Sequence, residues 1–126
     1  SGLLPNGWIV LEDTEGLGKF DIGDLELVPI LKGEEQYISG LEMRSRAKVE
    51  GTNLSLEDGQ HILDNQDKVP EEYRPYWIPL AGTLVRGRLG IIRVPSLDWD
   101  GERWGLHFSW LEDDWTSRDR FVRPRK

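Results

Sequence analysis

Apolar and polar residues alternate most regularly near the carboxy terminus, where Trp104, Leu106, Phe108 and Trp110 interleave with Gly105, His107, Ser109 and Leu111. That period of two belongs to a half-buried β-strand, and it places Trp104, Phe108 and Trp110 together on one face as expected core residues. Strand-like stretches also cover residues 78–86, 90–97 and 120–123, and the connectors 87–89 and 98–102 are short enough to require antiparallel neighbours. The pattern therefore predicts a four-stranded antiparallel meander over residues 77–123.

The first third reads differently. Trp8-Ile-Val-Leu11 is a short strand closed by the acidic turn 12–16, and Leu25-Glu-Leu-Val28 is a second strand that Pro29 confines to a sheet edge, so two strands are expected within residues 7–31. Residues 39–50 carry two competing patterns. Leu41, Met43, Ala47 and Val49 recur with a spacing of two, whereas Ser39 and Glu42 have capping-box spacing and Glu42 precedes Arg46 by four. Helix prevails narrowly, with Gly51 as its stop. A second helix starts at Ser55, which has Asp58 three residues on, is weakened by Gly59, and ends before Pro70; the helical region is residues 39–66. Pro70-Glu-Glu-Tyr-Arg74 starts a further short turn. Together these elements predict one α+β domain over residues 1–126. Its antiparallel meander forms either a strongly curved sheet or a small open barrel, with one or two helices from the middle of the chain packed on one side.

Composition narrows the chemistry. There is no cysteine among the 126 residues, which removes disulfides, thiolate catalysis and cysteine-based metal sites, and fits a reducing, cytoplasmic setting. No apolar run approaches a membrane span, no signal peptide is legible, and Ser1-Gly2 reads as a remnant of tag removal. The net charge is −7, unevenly spread. Residues 12–35 hold eight acids against Lys19 and Lys32, and residues 57–72 hold six against Lys68, while Arg118, Arg120, Arg123, Arg125 and Lys126 make a basic tail. Such a surface disfavours generic nucleic-acid binding and favours a basic protein partner, or self-association of tail with acidic face.

No catalytic residue, metal ligand set or cofactor site is expected. Asp98-Trp-Asp-Gly-Glu102 lacks the calcium-loop spacing, because Arg103 stands where a glycine is needed and Ser109 where the twelfth-place glutamate would be. Gly16-Leu-Gly18 lacks the third glycine of a nucleotide fingerprint, Asn53-Leu-Ser55 is an ordinary match to a glycosylation acceptor, and His61 and His107 stand far apart with no thiol to complete a zinc site. His107 and Ser109 share a strand face, a weak hydrolytic pairing. The expected binding residues are instead Trp99, Asp100, Glu112, Asp113, Asp114 and Trp115, since Trp99 and Trp115 fall in connecting segments beside carboxylates.

The segments Asp64-Asn-Gln-Asp-Lys-Val-Pro-Glu-Glu-Tyr-Arg74, Ala81-Gly-Thr83, Leu97-Asp-Trp-Asp-Gly-Glu-Arg-Trp104 and Trp110-Leu-Glu-Asp-Asp-Trp115, with Asp119-Arg120 and Val122-Arg-Pro124, resemble a group of small bacterial hypothetical proteins. The resemblance covers roughly residues 41–126 and implies helices across 41–66 followed by strands; it carries no activity and no functional residue.

The leading expectation is a small acidic interaction module, inhibitor or decoy, which binds a macromolecular partner through acidic and tryptophan-bearing loops. A DNA mimic is one version, with the acids of residues 12–35 supplying the charge. The alternative is a carbohydrate-binding module or small hydrolase with Trp99, Trp115, Asp113 and Asp114 lining a groove. A third is a structural subunit docked through its basic tail.

Overall fold

The computed structural model describes residues 4–125; Ser1 and Gly2, read above as a tag remnant, and Lys126 of the basic tail lie outside them. The chain forms β1 (Ile9–Glu12), β2 (Leu25–Pro29), β3 (Tyr37–Ile38), α1 (Gly40–Glu50), α2 (Leu56–Asp64), β4 (Ile78–Pro79), β5 (Leu84–Arg86), β6 (Ile92–Trp99), β7 (Trp104–Trp110), β8 (Trp115–Thr116) and β9 (Arg120–Pro124), with three short 3-10 turns between them. The fold is α+β, as the pattern predicts, and its main sheet is open rather than closed into a barrel.

Capping chemistry decides the ambiguous middle of the chain. The Ser39 hydroxyl accepts from the Glu42 N–H, and Gly51 ends α1 at φ 71°, a left-handed position that costs glycine nothing. Ser55 and Asp58 form a full capping box at the start of α2. The Asp58 carboxylate also accepts the Leu17 N–H at 3.0 Å, tying the amino-terminal loop to that helix. Residues 71–73 make the short turn expected after Pro70.

In the main sheet β6 is the spine. β7 runs along one side of it for its whole length, while β5 and β4 share the other side in succession and β1 lies beyond β5. The meander is thus real for its first three members. Its fourth strand departs from expectation: β9 leaves the hairpin and pairs antiparallel with β2, with Leu27 opposite Val122. Of the basic tail, Arg123 is engaged within the chain, where it pairs with Glu26 at 3.2 Å and Glu50 at 3.0 Å.

Two cores flank the spine. Leu97 belongs to the first, with Leu54, Leu56, Ile62, Leu80 and Trp104, and Val94 to the second, with Met43, Ala47, Phe121 and Trp115. Positions 94 and 97 have opposite parity and point to opposite faces. α2 consequently serves one face of β6 and α1 the other.

Candidate functional site

Trp99 and Asp100 shape the hairpin tip. Trp99 closes β6 half-buried, with the Arg74 guanidinium 3.9 Å above its ring and Trp104 edge-on beside it. Asp100 accepts the N–H groups of Glu102 and Arg103 at 2.8 and 2.9 Å, and these hydrogen bonds hold its carboxyl below the usual range. Both residues act on the turn itself.

Two tryptophans exchange the places that periodicity assigns them. Trp115, expected on an exposed loop, is 2% exposed, because the β3–β8 bridge sets it opposite Ile38 and its indole N–H donates to the Leu111 carbonyl at 3.3 Å. Trp110, expected in the core with Trp104, is 47% exposed. The alternation is correct, but the first core covers that face only at its Trp104 end. Beyond Leu106 the face opens, and there Trp8 meets Phe108 edge-on at 4.9 Å. The Arg93 guanidinium lies between Trp8, 5.1 Å away, and Trp110, 5.9 Å away.

Phe108, Trp110 and the Arg93 guanidinium gather at the outer edge of β7. Leu111 N–H donates to Ile92 O and Asp100 N–H to Arg103 O. Antiparallel alternation then turns the backbone groups of Gly105, His107 and Ser109 toward β6, and those of Trp104, Leu106, Phe108 and Trp110 outward. Pro95, which has no N–H, lies opposite Phe108 and accepts from Leu80 on its other side, as this register requires. Among the described residues no second strand pairs with β7. Gln66 occupies both outward groups of Trp104, Arg93 donates to the Phe108 carbonyl at 3.3 Å, and Asp113 N–H donates to the Trp110 carbonyl. Both backbone groups of Leu106 and the N–H groups of Phe108 and Trp110 remain turned outward.

A trough of about 390 Å³ straddles this edge, with Arg93, Phe108 and Trp110 on one side and Trp77, His107 and Ser109 on the other. Asp113 lines it too, and leads into a smaller hollow of about 130 Å³ bounded by Ser109, Asp114, Arg118 and Asp119. Burial raises the Asp119 carboxyl, against the lowering influence of the Thr116 N–H and Arg118. Burial likewise raises Asp98, whose Oδ1 is 3.0 Å from His107 Nε2. The Ser109 hydroxyl turns to Ser96 at 3.3 Å, so the histidine is oriented by Asp98 and by the Trp77 ring, 5.1 Å away, with no serine relay.

Of the expected binding residues, Asp113 and Asp114 reach this edge, Glu112 is exposed beside Trp110, Trp99 and Asp100 stand at the far hairpin tip, and Trp115 is in the core. Sequence reasoning missed Trp8, Trp77, Arg93 and Gln66. A partial signal existed for Arg93: a hairpin closing over 100–103 sets it opposite Trp110.

A scan against protein-family models and searches among curated proteins and solved structures return no match. Among the described residues no three metal-liganding side chains gather, and no helix is long and apolar enough to cross a membrane.

Proposed function

We propose that this protein is an interaction module that accepts an extended segment of a partner polypeptide as an added strand along β7. The observation that carries this reading is the set of outward backbone groups with no internal partner over residues 106–110, namely both groups of Leu106 and the N–H groups of Phe108 and Trp110. Those of Phe108 and Trp110 lie in a trough with side chains on both faces. Edge strands are ordinarily blunted or covered, because unpaired N–H and C=O groups template pairing with another chain. Strand addition exploits the same chemistry: main-chain hydrogen bonds supply affinity and flanking pockets read alternate side chains.

The site differs from the loop surface expected from sequence, while the class of function is kept. A DNA mimic draws less support from the fold, since the acids of residues 12–35 are largely engaged. Glu12 pairs with Arg44, Glu26 with Arg123 and Glu35 with Arg46, while Asp13 accepts the Thr83 hydroxyl and Asp21 caps a 3-10 turn. The carbohydrate alternative loses the Trp99 and Trp115 groove it rests on, because those rings are at the hairpin tip and in the core.

The test is amide chemical-shift mapping with extended partner peptides. Binding should move the amides of Leu106, Phe108 and Trp110 and slow their exchange, and N-methylation of alternate peptide nitrogens in one register should abolish it. Shifts confined to the hairpin tip around Trp99, or indifference to methylation in both registers, would refute strand addition.

A further inference from the structure

The two sides of the β7 edge differ in chemistry, and that difference specifies the partner. Residues of an added strand alternate between the faces of the sheet they join. On the Phe108 side they meet the rings of Phe108 and Trp110, together with the Arg93 guanidinium that lies between Trp110 and Trp8. Among the described residues no carboxylate lies within ion-pair distance of Arg93, and its Nε is buried without a hydrogen-bond partner. A lysine or arginine placed on that side would face an uncompensated like charge. An apolar side chain would cover the exposed half of Trp110.

On the Ser109 side the balance reverses. Asp113, Asp114 and Asp119 border the hollow beside Ser109 and Trp77, with Arg118 the one cation among the residues lining it. Asp113 and Asp114 are exposed, and no ion pair joins either to a cation among the described residues. A basic side chain on that side would gain attraction from carboxylates that the fold leaves uncompensated.

Resting on the strand-addition reading above, we infer that the segment β7 accepts is an alternating apolar and basic stretch of a partner protein. Its basic side chains lie on the Ser109 side toward Asp113 and Asp114, and its apolar side chains on the Phe108 side against Trp110. Pairing ends at Trp104, where the Gln66 amide already holds both backbone groups. The segment read is therefore short, facing residues 106–110.

Three end-capped hexapeptides test this by titration at low ionic strength: alternating Lys-Val, alternating Glu-Val, and the block isomer with three lysines followed by three valines. The alternating Lys-Val peptide should bind about tenfold more tightly than the Glu-Val peptide, as expected for two partly exposed ion pairs, and the ratio should shrink with salt. The double substitution Asp113→Asn and Asp114→Asn, at exposed positions, should remove most of that preference. Equal affinity for the Lys-Val and Glu-Val peptides, both shifting the amides of Leu106, Phe108 and Trp110, would overturn the basic specificity and leave strand addition standing. Equal affinity for the block isomer would overturn the alternation. Failure of all three peptides to perturb those amides would overturn both.

Discussion

The side-chain amide of Gln66 stands where the peptide group of a neighbouring strand would stand: its Oε1 accepts the Trp104 N–H at 2.7 Å and its Nε2 donates to the Trp104 carbonyl at 3.3 Å. One end of the β7 edge is thereby closed by a single side chain that follows α2. Along the rest, both backbone groups of Leu106 and the N–H groups of Phe108 and Trp110 stay open, while the Phe108 and Trp110 carbonyls accept from Arg93 and the Asp113 N–H.

Replacing Gln66 by alanine removes both bonds from a partly buried backbone pair. The expected loss is about 1–2 kcal/mol in stability, read as a lower urea midpoint with an unchanged slope. The same substitution frees Trp104, so a bound peptide should then protect the Trp104 amide as well. A variant that keeps wild-type stability and footprint would show that the amide does not close the edge.

The exchanged places of Trp110 and Trp115 give unequal alanine penalties. Trp115→Ala empties part of the second core and should cost about 3–5 kcal/mol. Trp110→Ala, at a half-exposed position, should cost about 1 kcal/mol or less while weakening peptide binding. Equilibrium unfolding and titration of both variants test this, and similar penalties would contradict the assignment.

Local chemistry made much of the fold legible. Ser39, Gly51, Ser55 and Asp58 mark helix ends through hydrogen bonds that close within a few residues, and the β6–β7 hairpin follows from alternation around a short turn. What stayed hidden is non-local. The β2–β9 pair joins Glu26 to Arg123, and no short-range pattern announces a partner across nearly the whole chain. Periodicity assigned Trp110 to a face correctly, but exposure on that face depends on where other elements end. Trp115 is buried for a similar reason: two residues of β3 reach it from far earlier in the sequence. The candidate edge was half legible, through Asp113 and Asp114 and through the hairpin register that sets Arg93 opposite Trp110; Trp8 and Gln66 come to β7 only through tertiary packing.

Gly59, read from sequence as a weakness in α2, is there for packing. A Cβ at this position would collide with Leu80 Cδ1 in the first core. Gly59→Ala gains helix propensity of about 1 kcal/mol, but overpacking of about 1–3 kcal/mol opposes it, so a net destabilisation is expected. Combining it with Leu80→Ala should show strong favourable coupling in a double-mutant cycle. Additive effects would mean that the two side chains do not compete for the same space.

Acid sensitivity should report on the loop between β2 and β3. Glu35 makes two hydrogen-bonded contacts to Arg46, both at 2.7 Å, and accepts the Lys32 N–H; these bonds, the arginine foremost, lower its carboxyl from 4.5 to about 2. The folded chain therefore binds this proton more weakly than the unfolded chain does. The stabilisation from Glu35 is complete above the unfolded value near 4.5 and declines as pH falls through the interval down to about 2. Urea midpoints of wild type and Glu35→Gln should therefore differ at neutral pH, with the variant less stable, and converge between pH 4.5 and about 2. Because Arg46 also pairs with Glu42 at 2.8 Å and donates to the Ile30 carbonyl, it stays anchored in the variant, and the convergence isolates the Glu35 proton. Parallel curves over that interval would show that the pair contributes nothing to folding.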